Sequence, residues 1–279
     1  MKKFLFFAIA ILCLTSCGDD PKSESTLTQA LISRTFVEGS TDVSLTEGNY
    51  SFAIDNIGRK VNITAHNAVI PGLSGETTFT MNNIPVEISD DRYWYVFEMA
   101  SVTPQINGMA NPEFKITNVR GRITTFPPYQ AFIEYNVPGD YKIVSNPKEI
   151  NYNFVSTVIT ETGSSNMPYR NKDARYDVIF DIKTKMAKVV IRNAKFASNM
   201  PNLERMELKD IPFEATPTTI NLKVDKVIPT ISTTPYPKYE ITLLTGLIAA
   251  SNMNMSFICG GVYNVSLSAY VSKPDGFDN

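Results

Sequence analysis

A seven-residue stretch occurs twice in this chain. Met81-Asn82-Asn83-Ile84-Pro85-Val86-Glu87 returns 127 residues later as Leu208-Lys209-Asp210-Ile211-Pro212-Phe213-Glu214, with three positions identical and most of the others conservatively changed. The echo extends on both sides. Upstream, Lys60-Val61-Asn62-Ile63 matches Lys188-Val189-Val190-Ile191, and Asn67-Ala68-Val69-Ile70 matches Asn193-Ala194-Lys195-Phe196. Downstream, Val102, Pro104 and Ile106 fall on Val227, Pro229 and Ile231, and Phe114 to Ile123 falls on Tyr239 to Ile248. The separation stays between 125 and 128, as it does when strands keep their length and loops gain or lose a residue or two. A chain of this kind folds as two copies of one unit, each roughly 120 residues and large enough to bury its own core.

The period of the apolar residues sets the fold class. Tyr176, Val178, Phe180 and Ile182 alternate with Asp177, Ile179, Asp181 and Lys183, while Ile220, Leu222 and Val224 alternate with Asn221, Lys223 and Asp225. A period of two puts one set on a core face and the other toward water, and no stripe of period 3.6 competes with it. Seventeen prolines, mostly between these runs, mark turns and edges. In the first repeat, strands are expected at 31–37, 50–54, 61–65, 77–81, 94–102, 114–119, 131–136 and 141–145. The class is all-β: two tandem, homologous antiparallel domains, each a sandwich or a small or half barrel. The boundaries expected are a signal peptide over 1–16, a tether over 17–27, repeat 1 over 28–148 and repeat 2 over 149–279.

The first residues set the address. Lys2 and Lys3 precede an apolar run from Phe4 to Leu14, too short for a permanent membrane helix and built like a secretory signal. Leu14-Thr15-Ser16-Cys17 resembles a lipoprotein lipobox, which implies cleavage before Cys17 and lipidation of that residue. The following Gly18-Asp19-Asp20 resembles the acidic tract of surface-exposed lipoproteins of the Bacteroides type. The chain as a whole looks like a duplicated all-β surface lipoprotein of that group, which implies outer-membrane attachment through the acylated terminus, facing outward. Acyl chains hold such a terminus without any spanning helix. Cleavage also removes two of the 26 basic residues and none of the 28 acidic ones, leaving a net charge of −4. With no basic run, nucleic acid is not an expected partner.

The side chains that carry chemistry are sparse. Once Cys13 leaves with the signal and Cys17 is lipidated, only Cys259 remains; it aligns with Glu134 and reads as a small buried hydrophobe. His66 is the single histidine, placed in a solvated loop, so neither a multi-histidine metal site nor histidine-assisted nucleophilic catalysis is expected. No phosphate loop, dinucleotide fingerprint or nucleophile elbow appears. Glu87, Asp90 and Asp91 beside Arg92 read as a charged turn, and Gly260-Gly261 as a turn or bulge. The repeated Ile-Pro-x-Glu reads as scaffold: Ile84 and Ile211 face inward, and the proline ends one ladder and re-aims the chain. Gly121 and Gly246 serve a bulge or a close approach. The expectation is a non-enzyme without cofactor or metal.

Comparing the copies separates scaffold from function, because residues present in both serve the fold. Tyr93, Tyr95, Phe97 and Met99 share the core face, which leaves Trp94, the only tryptophan, on the other side, where repeat 2 has Thr219. Repeat 1 also carries Phe126-Pro127-Pro128-Tyr129 where repeat 2 has Ser251 to Asn254. Rings give contact area at low entropic cost, so Trp94, Tyr93, Phe126 and Tyr129 are the candidate ligand-binding residues, for a glycan or a peptide. The competing role for Trp94 is packing against the other domain or a covering loop. Two other functions fit the architecture: a structural or adhesive subunit resembling fimbrial proteins of the same bacterial group, and a carrier of lipid or a small apolar ligand resembling a calycin.

Overall fold

The computed structural model describes residues 24–160 and 168–272, with side chains at 154–160 left undescribed. The signal peptide, Cys17 and its acidic neighbours lie outside the described residues. Repeat 1 contains β1 (Glu24–Val37), β2 (Ser44–Asp55), β3 (Lys60–Val69), β4 (Glu76–Ile88), β5 (Trp94–Val102), the short β6 (Gln105–Ile106) and β7 (Met109–Ala110), β8 (Ile116–Thr124), β9 (Ala131–Val137) and β10 (Tyr141–Pro147). Repeat 2 contains β11 (Glu149–Thr160), the short β12 (Tyr169–Asn171), β13 (Arg175–Asp181), β14 (Met186–Ala194), β15 (Leu203–Ala215), β16 (Thr219–Val227), the short β17 (Thr230–Ile231) and β18 (Thr234–Pro235), β19 (Ile241–Ala249), β20 (Asn252–Cys259) and β21 (Tyr263–Val271).

Each repeat is a closed, eight-stranded, antiparallel up-and-down barrel. In the first, β1-β2-β3-β4-β5-β8-β9-β10 pair in that order, and β10 returns to β1 through the ladder Leu31↔Pro147 to Val37↔Tyr141. The second closes the same way, β11 against β21. Of the architectures open to the sequence, the sandwich and the half barrel are excluded by these first-to-last ladders. The short pairs β6–β7 and β17–β18 hang on β4 and β15 at matched places.

Alternation explains the closure of the core. Along β3, Val61, Ile63 and Ala65 are fully buried, while Lys60 and Asn62 face water. An eight-stranded barrel has an interior just wide enough for side chains to fill. Barrel 1 fills it with Tyr50, Phe52, Ile63, Phe79, Phe97 and Tyr135, each no more than 2% exposed. A polar chain runs through it: Ser33 Oγ meets Ser145 Oγ at 2.8 Å and the Tyr50 hydroxyl at 3.3 Å, and Tyr50 meets the Tyr135 hydroxyl at 3.1 Å. In barrel 2 the register puts Tyr176, Phe257 and Leu267 at the places of Tyr50, Tyr135 and Ser145. From the loops, Ile70 and Phe114 join the first core, and their counterparts Phe196 and Tyr239 join the second.

The repeat extends to backbone conformation. Arg59, Asn67, Asn83, Asn107 and Asn118 have positive φ, and so do Lys185, Asn193, Asp210, Ser232 and Leu243 at the matched positions. The β2–β3 and β13–β14 hairpins use the same device, Asp55 Oδ1 accepting from the Ile57 and Gly58 amides and Asp181 Oδ1 from those of Lys183 and Thr184.

Several sequence expectations are corrected. The Ile-Pro element ends one ladder, as expected, β3 last pairing with β4 at Pro85 and β14 with β15 at Pro212, but the strands themselves run on through the prolines. A bulge with Asn83 (φ 58°) or Asp210 (φ 56°) in the left-handed region comes just before. Ile84 and Ile211 are fully buried, as expected. β4 does change neighbours there, from β6 at Phe79 and Thr80 to β5 at Val86 to Ile88. The β2–β3 and β13–β14 hairpins are equal in length, so Ile63 matches Val189 rather than Ile191. The β19–β20 turn is three residues shorter than the β8–β9 turn, so Cys259 matches the inward Val137 rather than the outward Glu134. His66 is not in a loop: it lies within β3, its Nε2 3.0 Å from Ser51 Oγ. Residues 24–27, assigned to the tether, belong to β1 and pair with Asp55 to Phe52. Gly121 and Gly246 serve close approach, while the bulges sit three residues earlier. A Cβ on Gly121 would run into the Phe132 carbonyl and the Phe97 ring, and one on Gly246 would lie 3.2 Å from Leu222.

Two predictions follow from local conformation and burial. Leu243 has φ 52° and is 62% exposed, so it bears left-handed strain with little packing in return, whereas repeat 1 has Asn118 (φ 51°) at that bulge. Leu243→Asn is expected to raise stability in urea by about 1 kcal/mol, and Asn118→Leu to lower it by a similar amount. The second concerns alkali. Burial pushes the Cys259 thiol up to about 12 and the Tyr135, Tyr152 and Tyr176 phenols above their ordinary range. These groups keep their protons in the folded state and release them on unfolding, so their neutrality adds no pH dependence below the ordinary thiol range. Above it, stability falls, by about 1.4 kcal/mol per pH unit for each group that ionises only when unfolded. Urea midpoints are expected to be flat from pH 7 to 8 and to drop steeply above pH ~10.

Candidate functional site

The outer face of β5, β8, β9, β10 and β1 carries a row of side chains in register: Glu98, Arg120, Glu134, Val144 and Arg34. The next row toward barrel 2 contains Val96, Arg122 and Phe132, and Trp94 follows on β5. Two turns of barrel 2, at Thr216 to Thr218 and at Ala250 to Ser251, stand beside this face. Together they enclose a cleft of about 680 Å³. Gly121 lies on the strand beneath it, and its missing side chain is on the inner face, where the space is taken by the Phe97 ring.

The arginines divide into two kinds. Arg120 pairs with Glu134, which Lys142 also approaches at 3.4 Å, so that end of the cleft is neutralised. Arg122 has no carboxylate partner among the described residues. Its guanidinium lies 4.6 Å from the Trp94 ring centroid and 5.4 Å from that of Phe132, and Nη2 donates to Ser251 Oγ at 2.7 Å. Burial pulls its pKa down, with Tyr93 acting the other way. Arg34 is only 3% exposed. Nη1 donates to the Thr216 carbonyl and Nη2 to Asn146 Oδ1, both at 2.9 Å, and Nε has no hydrogen-bond partner. Burial lowers its pKa to about 10, with Glu134 opposing. Both arginines therefore span from barrel 1 to a turn of barrel 2, and both meet neutral acceptors there.

Of the residues singled out from sequence, Trp94 lines the cleft and faces away from the barrel 1 core, as alternation requires. It also packs against the apolar cluster of barrel 2, to which Ile32 and Phe132 belong, so the interdomain packing role is real. Tyr93 does not share the barrel core with Tyr95, Phe97 and Met99, because β5 begins only at Trp94. The Tyr93 hydroxyl instead donates to the Val271 carbonyl at 2.5 Å and to that of Ser272. Its ring meets Trp94 at 4.8 Å and Phe126 at 4.9 Å, both edge-on. The structure thus gathers Tyr93, Trp94 and Phe126 at the joint between the barrels. Tyr129 is 45% exposed and does not line the cleft; its carbonyl accepts from Gln29 Nε2. Sequence reasoning missed Arg34, Arg122 and Phe132. A charge within Leu31 to Val37 was a signal for Arg34. Phe132 lies in the unbroken apolar run Ala131 to Ile133, where alternation assigns no face.

Repeat 2 provides an internal control. A depression of about 690 Å³ lies on its outer face, around Gly246. The ladders place its lining opposite that of the cleft: Asn221 for Val96, Lys223 for Glu98, Thr245 for Arg120, Leu247 for Arg122, Asn254 for Phe132 and Ser256 for Glu134. The dent belongs to the fold, while the rings and arginines belong to repeat 1. Among the described residues no group of three metal-binding side chains forms. Glu87, Asp90 and Asp91 flank a turn in which Asp91 Oδ1 accepts from the Tyr93 amide.

Compared with protein-family models and with curated proteins, the chain matches none.

The Tyr93 hydroxyl is the most direct link from the aromatic cluster to the end of barrel 2. Tyr93→Phe leaves the ring contacts in place and removes the bond to Val271, and is expected to cost about 1 kcal/mol. Urea denaturation followed by Trp94 emission, which reports on the joint, checks it; an unchanged midpoint would mean that the bond does not hold the barrels together.

Proposed function

We propose that this chain is a non-catalytic cell-surface lipoprotein that binds a glycan in the cleft between its two barrels. One observation carries the reading: both repeats have the dent, and only repeat 1 furnishes it with Trp94, Phe132, arginines and carboxylates. Rings beside charged hydrogen-bonding groups in a partly enclosed groove suit sugars, whose apolar faces and hydroxyls need both. A peptide captured by strand addition needs an unpaired edge, and each eight-stranded ring is closed. The same closure weighs against assembly by strand exchange. An apolar ligand held calycin-fashion needs room inside, and the interiors are occupied by the chain's own aromatic side chains.

The surface address comes from Cys17 and the acidic tract behind it. Among the described residues no helix is long and apolar enough to cross a membrane. The barrels are apolar inside and polar outside, the reverse of a membrane-spanning barrel. Attachment by lipid at the amino terminus is consistent with both.

The test is a glycan-array screen of the full-length chain in detergent, with Trp94 emission as the solution readout. Binding is expected to shift that emission. Thr218→Tyr, which fills the cleft from an exposed turn of barrel 2, is expected to weaken binding at least tenfold without moving the urea midpoint. Array binding that Thr218→Tyr leaves intact would place the ligand elsewhere and end the proposal.

A further inference from the structure

We infer that the inner end of this cleft is an oxyanion subsite, in which Arg34 and Arg122 receive the carboxylate or sulfate of an acidic sugar. The inference rests on the cleft being the ligand site and goes on to name the ligand's charge.

Arg34 and Arg122 project from adjacent rows of one sheet face and are separated by β10 and β9. Three strand spacings and a two-residue step along the strand put their Cα atoms roughly 16 Å apart, a gap that two arginine side chains and one sugar residue fill. Between them the floor is Phe132 and Val144, with Glu134 two strands from Arg34 in the same row. The one lining acid near this end, Glu134, is engaged by Arg120 and Lys142.

A buried guanidinium without a carboxylate is an expensive arrangement. Arg34 is 97% buried by the complement of its 3% exposure, meets only a backbone carbonyl and an amide oxygen, and leaves Nε without a partner. Guanidinium offers five N–H donors in a planar fork matched to carboxylate and sulfate, and the neutral acceptors here use only part of that capacity. Arg122 is likewise committed only to Ser251 Oγ and to ring faces, which do not neutralise its charge. If these arginines served only to fasten the barrels, a neutral donor would do so without the cost of burying charge. Repeat 2 is built without them: Leu247 stands at the place of Arg122, and the fold closes regardless. An anionic group entering from solvent supplies the charge that the protein withholds.

The test uses isothermal titration of the full-length chain in detergent with three probes: an oligogalacturonate, the same oligomer fully methyl-esterified, and a chondroitin sulfate oligosaccharide. At least one anionic probe is expected to bind at least tenfold more tightly than the methyl ester, and to lose at least tenfold in affinity between 50 and 500 mM salt. Tighter oligogalacturonate names carboxylate as the anion, and tighter chondroitin sulfate names sulfate. Arg122→Gln is expected to remove the preference for the anionic probe, bringing the ratio of its affinities for acid and methyl ester close to one. Should that variant fold poorly, the comparison of acid with ester on the unaltered chain decides alone. Equal affinity for all three probes, or array ligands that are all neutral, overturns the anion subsite and leaves the glycan cleft standing. The absence of any Trp94 response to the probes and the array overturns both.

Discussion

The ladder between the first and last strands of each repeat turns a meander into a ring, and the rest of the molecule follows from it. In barrel 1 it joins Leu31–Val37 to Tyr141–Pro147, and in barrel 2 Tyr152–Thr160 to Tyr263–Val271. Each links residues about a hundred positions apart, so closure comes only after the intervening strands have paired in order. Once made, it leaves no long unpaired edge and satisfies the backbone all round. It also sends every inward side chain into a space that the aromatic residues fill. A chain closed twice in this way has its interiors committed to stability, and recognition is left to outer faces, loops and the joint between rings.

The joint is where the two copies stopped being alike. Both contain a glycine on the second barrel strand after the repeated proline element, Gly121 and Gly246, each facing a large neighbour across the ladder, Phe97 or Leu222. A depression lies on the outer face of that strand in both. In repeat 2 the dip is lined by Thr245, Asn254 and Ser256, side chains that water solvates well. In repeat 1 the same places hold Arg120, Phe132 and Glu134, and barrel 2 leans two turns against them. Duplication thus supplied a second body whose ends wall off a surface that a single barrel would leave open.

Much of this was legible in the residues and some was not. The eight strands of repeat 1 were readable because a period of two is a local signal, and Trp94 was assigned to the outer face for the same reason. Closure was not, since nothing in Leu31–Val37 announces that Tyr141–Pro147 is its partner. The slips came from carrying a local pattern across a turn. The β19–β20 turn is three residues shorter than the β8–β9 turn, and matching by identity keeps one offset across it, which sets Cys259 against Glu134 where the ladders put it on Val137. Tyr93 was assigned to the barrel core by extending alternation one residue beyond the strand, into a turn held by Ser89 and Asp91. Arg34 and Arg122 lay on separate strands, and only the ring brings them to one cleft.

The placement of those arginines couples the cleft to the joint. Each side chain begins on barrel 1 and ends on a turn of barrel 2, so whatever alters its bonding alters how the two bodies are held. Trp94 is bound into the same arrangement, with Arg122 over its face and the barrel 2 cluster at its side. Truncating it removes packing as well as a ligand surface, and loss of binding in such a variant could not be assigned to one or the other. Rim residues such as Thr218 lack that double role, because they touch the cleft without carrying the joint. The same coupling gives a bound anion a structural consequence. By neutralising charge that the free protein keeps buried, it lowers the cost of the closed joint, and the two barrels are held more firmly with ligand than without.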